Sequence, residues 1–249
     1  MNGEVAISFV VPAYNEEKIL PETLAAIATE IAHTPVSAEV IVVNNASTDA
    51  TAAVAARFPG VVVVDEPEKG LVQARRAGFL NSHGALVANI DADTRITRGW
   101  LGRVLEEFAA DPKLAALSGP YIYYDTPLHV RALTRAFYGL GYAAYLLNRF
   151  VLKKGSMLQG GNFVVRRSAL EAIGGFNSDF TFYGEDTDLA RRLVAAGGVK
   201  FSFRLPALSS GRRLLAEGVM RIGMRYALNY VWVTYFHKPF SGSWLDIRR

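Results

Sequence analysis

Apolar residues over roughly the first ninety positions come in short unbroken runs separated by polar turns. Ala6 to Val11 is one such run. It is rich in β-branched residues and reads as a strand buried on both faces. Pro12-Ala13-Tyr14-Asn15-Glu16 ends it. Leu20, Leu24, Ile27 and Ile31 then recur at helical spacing and predict a helix over about 19–31. Val40 to Val43 predicts a second strand. In the polar turn Asn44 to Asp49, the residues Ser47, Thr48 or Asp49 can cap a helix from Ala50 to Phe58. A third strand at Val61 to Val64, a helix opened by Lys69-Gly70 and stopped near Gly84, and a fourth strand at Ala85 to Ile90 complete the alternation. This order predicts a parallel sheet with helices on both faces. Ligands in such sheets sit at the carboxyl ends of the strands. The turns 12–16, 44–49 and 91–93 all fall at those ends and are expected to converge.

The second half changes character. Trp100 to Ala109 predicts a helix, Ala115 to Tyr124 contains an aromatic strand-like run, and Pro127 to Leu152 reads as one long helix. The uncharged core of that helix, Ala136 to Leu147, is twelve residues long. That falls short of the ~18–20 needed to span a bilayer. Gly160-Gly161-Asn162 precedes a strand at Phe163 to Val165, and Ser168 can cap a short helix ending near Gly174. Glu185-Asp186 opens another helix, where acids complement the helix dipole. Leu214 to Phe236 is helical in pattern, with Arg212, Arg213, Arg221 and Arg225 among apolar and aromatic residues.

The strand at Ala85 to Ile90 ends in Asp91-Ala92-Asp93. On an extended backbone, residues i and i+2 point the same way, so the two carboxylates are expected to face one point just past the strand. Left unpaired they would repel and protonate; a hard divalent cation with diphosphate oxygens relieves that. A plain polar turn is the alternative for this tripeptide taken alone.

Composition narrows the choices. The 249 residues are 51% apolar, enough for one large α/β domain. There is no cysteine, which excludes a disulfide, a thiolate zinc site and a cysteine nucleophile. The four histidines His33, His83, His129 and His237 are scattered. Net charge is +4, but from Arg191 to Arg249 eleven Lys and Arg stand against Glu217 and Asp246. That tail can face anionic lipid or phosphates. Nucleic acid is not expected, since no nucleic-acid module accompanies the tail. The chain opens straight into a strand without a signal-peptide pattern, so a cytoplasmic location is expected.

Six segments taken in order resemble glycosyltransferase family 2, the inverting enzymes with the GT-A fold. They are Val10-Val11-Pro12-Ala13-Tyr14-Asn15-Glu16, Val42-Val43-Asn44-Asn45-Ala46-Ser47-Thr48-Asp49, Asp91-Ala92-Asp93, Gly160-Gly161-Asn162, Gly174-Gly175-Phe176 and Glu185-Asp186-Thr187-Asp188-Leu189. The resemblance covers about Ala6 to Leu193. It implies an α/β GT-A fold, with a mostly parallel central sheet, a Rossmann-like nucleotide half and an acceptor half. The GT-A domain is expected over 1–204, and a basic amphipathic helical extension over 205–249.

The implied activity is hexosyl transfer from a UDP-, GDP- or dTDP-linked sugar to an acceptor hydroxyl. The acceptor would be a glycan or a lipid-linked glycan, in cell-envelope polysaccharide synthesis, with Mn²⁺ or Mg²⁺ as cofactor. The resemblance places Pro12, Ala13, Tyr14, Glu16, Asn45, Lys69, Arg75, Asp91 and Ala92 around the nucleotide. Asn44-Asn45 departs from the common Asp-Asp of the family, and an amide still offers a donor and an acceptor to a base edge. Asp93 is implied as the direct metal ligand, with Asp91 on the ribose or the metal through water. Asp186 is implied as the catalytic base, Glu185 as a support for the acceptor, and Gly160, Gly161 and Asn162 as the acceptor and donor-sugar wall.

Two rivals are weighed against this. Asp91-Ala92-Asp93-Thr94 also matches the Asp-x-Asp-x-Thr signature of haloacid-dehalogenase-type phosphatases, although that signature normally lies on the first strand. A non-catalytic module binding sugar nucleotide or a membrane surface is the other. A dinucleotide-binding dehydrogenase is disfavoured, because no Gly-x-Gly-x-x-Gly follows the first strand. The apolar helix at Ala136 to Leu147 and the mixed aromatic and basic residues of Arg221 to Lys238 have the composition of interfacial helices. They suggest a lipid-linked acceptor and peripheral contact at the inner face of the cell membrane.

Overall fold

The computed structural model describes residues 5–152, 157–180 and 182–240. Residues 1–4, 153–156, 181 and 241–249, the last of these being the end of the extension expected over 205–249, lie outside this range. The alternation read from the first ninety residues is present: β1 (Ile7–Ala13), α1 (Leu20–His33), β2 (Ala38–Asn45), α2 (Thr51–Ala55), β3 (Val61–Glu66), α3 (Leu71–Leu80) and β4 (Leu86–Ile90). Then follow β5 (Thr94–Ile96), α4 (Trp100–Ala110), β6 (Leu114–Ser118), β7 (Tyr121–Tyr123) and α5 (Leu128–Leu146). After α5 come a π-helical turn (Leu147–Leu152), β8 (Asn162–Arg166), α6 (Arg167–Ala172), α7 (Glu185–Leu193), β9 (Gly198–Phe201), β10 (Ala207–Ser209), α8 (Arg212–Glu217) and α9 (Val219–Phe236).

Seven strands form the main sheet in the order β3-β2-β1-β4-β8-β6-β9. β1 runs parallel to β2 and β4, and β2 to β3, with Val10 opposite Ile41 and Asn89. β8 is antiparallel to both of its neighbours, β4 and β6, so the sheet is mostly but not wholly parallel. Alternate side chains of β1 enter different cores. Phe9 and Val11 pack with α1 and α4 residues such as Leu24 and Trp100. Val10 packs with Val72, Phe163 and Leu189 on the other face. Burial on both faces is why this strand is a continuous apolar run rather than an alternating one.

Two features depart from the sequence reading. The helix expected over 127–152 widens from α to π at Leu147, and the helical tail is broken at Gly218 (φ 86°) into α8 and α9. The segment after 204 is also built into the rest. β10 lies between β5 and β7 in a second, three-stranded sheet. Val233 of α9 is fully buried and packs into the second core. The expected boundary at 204/205 therefore cuts ahead of residues that complete the sheet and the core.

Candidate active site

The turns after β1 and β2 are knitted together by their own polar groups. Asn15 N donates to Ser47 Oγ (3.1 Å) and Thr48 N to Asn15 Oδ1 (2.8 Å). Glu16 N donates to Thr51 Oγ1 (2.9 Å) and Glu17 N to Asp49 Oδ2 (3.2 Å). The polar stretch 44–49, expected as a helix cap, thus serves chiefly to clamp the loop that follows β1. With the end of β4, these turns form one wall of a cavity of about 930 Å³. Pro12, Ala13, Tyr14, Glu16, Lys69 and Ala92 all line it. Lys69 Nζ sits 3.8 Å above the Tyr14 ring, a cation–π contact at the mouth of the wall.

Asp91 and Asp93 do not follow the extended geometry expected of them. Thr94 N donates to Asp91 O (2.9 Å), so residues 91–94 form a hydrogen-bonded turn rather than a continued strand. The two carboxylates line the same cavity but take different partners. Asp91 Oδ1 accepts from Arg75 Nη2 at 3.2 Å, and Asp93 Oδ2 lies 3.0 Å from Arg212 Nη2.

Arg75 joins the two acidic segments. Its side chain is fully buried, and its other guanidinium nitrogen bonds Glu185 Oε1. Burial alone would lower the Arg75 pKa; the Glu185 and Asp91 carboxylates overcome that and hold it above its ordinary value. Glu185 and Asp186 open α7 after Gly184, which has φ 81°. Gly184 is required for a second reason, since a Cβ there would lie 2.6 Å from Val233 Cγ2 of α9. Burial pushes the Glu185 carboxyl up to about 7, opposed by Arg75 and reinforced by Asp186. Its Oε2 is buried and has no hydrogen-bond partner among the described residues. Burial raises Asp186 as well, against Arg75 and the amides that bond it: Gly160 N donates to Oδ2 (3.1 Å) and Thr187 N to Oδ1 (2.7 Å).

The glycine pair before β8 holds these parts at close quarters. A Cβ on Gly161 (φ 76°) would lie 2.1 Å from Asp91 Cγ, so only glycine lets this loop press against the aspartate. Gly160 lines the cavity beside Asp186. Residues 91–93 and 185–186, far apart in the chain, therefore share one cleft.

Three expected contacts need correction. Asn162 is fully buried and faces away from the cavity; its Oδ1 accepts from Trp100 Nε1 (3.0 Å) and its Nδ2 donates to Gly119 O and Leu205 O (3.0 Å each). It fastens β8 to the second half and is not a sugar contact. Gly161 supports Asp91 and does not line the cavity. Asn45 does line it, but Nδ2 donates to Glu66 O (3.1 Å) and Glu68 O (2.7 Å), while Oδ1 accepts from Gly70 N (2.8 Å). Both amide hydrogens are committed to the 66–70 loop, which leaves only the second lone pair of Oδ1 for a base edge.

Tyr121 was missed as a site residue. Its Oη donates to Gly160 O and lies 3.5 Å from Asp91 Oδ2. Burial and the Asp91 charge push its pKa well up, so the phenol stays a protonated donor. The alternation of Tyr121 and Tyr123 along the aromatic run was the available signal, since it puts both rings on one face.

Among the described residues, no group of three or more His, Cys, Asp or Glu side chains gathers at a common point. Two carboxylates with diphosphate oxygens are nevertheless a hard donor set of the kind Mg²⁺ and Mn²⁺ take. Asp93 and Asp91 fit such an ion when a nucleotide supplies the remaining oxygens.

Beyond the carboxylates the cavity continues as a crevice between α5 and α9, walled by Phe137, Leu140, Ala144, Leu147, Ile222 and Tyr226. Its exposed rim is apolar: Leu140 (71% exposed), Leu147, Val231 and Tyr235 line it, and the same π-helical turn and α9 carry further exposed apolar side chains at Phe150 (63%), Val151, Trp232 and Phe236.

The model of the family described as glycosyl transferase family 2 matches residues 8–174, and one described as the N-terminal domain of galactosyltransferase matches 150–213. An uncharacterized glycosyltransferase of Mycobacterium tuberculosis is 43% identical over 102 residues, covering 41% of this chain and 43% of that protein. A dolichyl-phosphate beta-glucosyltransferase of Trichomonas vaginalis is 33% identical over 152 residues, covering 55% of this chain and 46% of that protein. The chain thus spans less than half the length of these relatives. A solved mannosyltransferase from Pyrobaculum calidifontis, in complex with GDP-Man and Mn²⁺, superposes with a TM-score of 0.72 at 21% identity, covering 96% of this chain and 66% of that one.

Proposed function

The chain belongs to glycosyl transferase family 2 and has the GT-A fold, and from that premise we propose that it transfers a sugar from a nucleoside diphosphate to an acceptor hydroxyl with inversion at the anomeric carbon. The observation that carries this reading is the Arg75 bridge. It ties Asp91, on the nucleotide wall, to Glu185, beside Asp186, inside one cavity.

The nucleotide lies along the wall made by Pro12, Ala13, Tyr14, Glu16, Asn45, Lys69 and Ala92. Asp93 and Asp91 hold Mn²⁺ or Mg²⁺, which when bound supplies Lewis-acid neutralisation of the charge growing on the leaving diphosphate. Asp186 accepts the proton of the acceptor hydroxyl. The bond from the anomeric carbon to the β-phosphate oxygen breaks as the bond to the acceptor oxygen forms on the opposite face. The proton stays on Asp186, and the nucleoside diphosphate leaves. Two backbone amides fix the Asp186 carboxylate, and a carboxylate retains lone pairs beyond them for the incoming proton. Glu185, raised by burial, is positioned by Arg75 and supports the acceptor.

A family match through residue 174 that places Asp91 after three β-α units disfavours the phosphatase reading. So does the Asp91–Arg75 ion pair, which makes that carboxylate a poor nucleophile.

The acceptor is a lipid-linked glycan or lipid phosphate whose chain lies in the crevice between α5 and α9. Three observations support this: the apolar crevice walls, the exposed apolar rim, and a relative named for dolichyl phosphate. No helix among the described residues is long and apolar enough to cross a membrane; the membrane contact proposed is made by the exposed apolar side chains of α9 and the π-helical turn, at the inner face.

The test is a panel of UDP-, GDP- and dTDP-sugars with Mn²⁺, with and without polyprenyl phosphate in detergent. Nucleoside diphosphate release and the product anomer are read by NMR. Release coupled to an inverted product supports the reading. Binding of nucleotide without turnover of any donor favours a non-catalytic module.

A further inference from the structure

Arg212, the first residue of α8, reaches back to two carboxylates of the nucleotide wall. One guanidinium nitrogen is shared between Glu16 Oε1, at the end of β1, and Asp93 Oδ2 at 3.0 Å, at the end of β4. Its approach is fixed from behind. The Asp125 carboxylate accepts from Ser210 Oγ (2.6 Å) and from Gly211 N (2.6 Å). A Cβ on Gly211 would lie 2.1 Å from Thr126 Cγ2, so the chain passes this point only as glycine. Glu16 is fixed in turn by its backbone bond to Thr51 and is nearly fully buried. The arginine therefore sits in a prepared seat, on the carboxylate that the proposed function assigns to the cation.

We propose that Arg212 is a resident counter-ion of Asp93 which the divalent cation displaces, so that the donor-free protein holds its metal weakly and metal binding waits for the nucleotide. The inference rests on the assignment of Asp93 as metal ligand. A guanidinium and a divalent ion compete for the same carboxylate oxygens. While the guanidinium is in place, the repulsion that would draw a bare cation is already neutralised. A diphosphate changes that balance, because it adds oxygens for the cation and a second anion for the released guanidinium, which Glu16 keeps at the same wall. Metal and nucleotide then raise each other's affinity by the same factor.

The test is titration of Mn²⁺ into the full chain without nucleotide, followed by electron paramagnetic resonance of the free ion. Arg212→Gln should bind Mn²⁺ roughly 10-fold more tightly than the parent, the scale of one partly buried ion pair removed from competition. Arg212→Lys keeps the charge and should stay near the parent, which guards against an effect of misfolding alone. Adding nucleoside diphosphate should tighten Mn²⁺ by a larger factor in the parent than in Arg212→Gln. Equal or weaker donor-free Mn²⁺ binding by Arg212→Gln would overturn the exchange. Asp93→Ala in the Arg212→Gln background separates the two levels of the argument. Loss of Mn²⁺ binding there upholds the metal assignment whatever the exchange result. Unchanged binding removes the metal assignment, and the exchange with it.

Discussion

The two halves of the cleft are built in opposite ways. The nucleotide half is made of backbone and short polar side chains: turns after parallel strands, locked to each other by Asn15, Ser47, Asp49 and Thr51, with few groups left mobile. The half proposed to meet the acceptor is made of α5, the π-helical turn and α9, with apolar side chains facing the crevice and with Phe150, Val151, Trp232 and Phe236 turned to solvent. On the proposed function, the wall fixed by hydrogen bonds between loops is the one that meets a charged group of constant shape, the diphosphate, and the wall of helix side chains is the one that meets the second substrate. The family match over residues 8–174 takes in the loops after the parallel strands and α5, and ends before α9. Arg75 is bonded to both acidic segments where the halves meet.

The sharpest way to separate the halves is chemistry against binding. Asp186→Asn should lower kcat by about 10²–10⁴-fold while nucleoside diphosphate affinity stays unchanged, measured by steady-state kinetics and calorimetry. Removing the joint should damage both halves. Arg75→Met leaves Glu185 and Asp91 facing each other without a counter-charge, and should destabilise the fold by about 3–5 kcal/mol in urea unfolding.

Next in size is a pH effect. Glu185 titrates at about 7 in the folded chain against 4.5 ordinarily. Its raised pKa favours the folded state at low pH: the contribution is complete below the ordinary value and is lost as pH rises through about 7. Unfolding free energy should therefore decline over that window by no more than about 3 kcal/mol, and Glu185→Gln should flatten the slope. The smallest expected effect lies on the exposed apolar end of α9. Trp232→Ser with Phe236→Ser should reduce flotation with anionic liposomes several-fold, with nucleotide binding intact. Unchanged flotation would reassign that face to another partner.

Much of the nucleotide half was legible because its signals are local. Ala6 to Val11 is apolar throughout since both faces of β1 are buried, and the polar turns follow strands directly. The motif Glu185-Asp186 was legible too, but its partner Arg75 was readable only as a nucleotide contact; pairing across 110 positions leaves no periodicity. Asn162 entered the site only through its place in the Gly160-Gly161-Asn162 segment of the family resemblance. Its amide instead bonds carbonyls at 119 and 205, which only tertiary structure brings near. The antiparallel entry of β8 and the three-residue β10 carry no local mark of direction or partner. Gly218 did carry a mark, and its left-handed φ ends α8 where the apolar pattern runs on.

The most direct measurement is calorimetric titration of nucleoside diphosphate, with and without Mn²⁺, into the parent, Asp93→Ala and Asp186→Asn. The expected result is a metal-dependent gain in affinity in the parent and in Asp186→Asn, lost by roughly 100-fold in Asp93→Ala, in keeping with a charge interaction of several kcal/mol. Equal metal-dependent affinity in all three chains would contradict the assignment of the 91–93 turn to the cation, and a loss in Asp186→Asn matching that in Asp93→Ala would contradict the assignment of the 185–186 turn to chemistry alone.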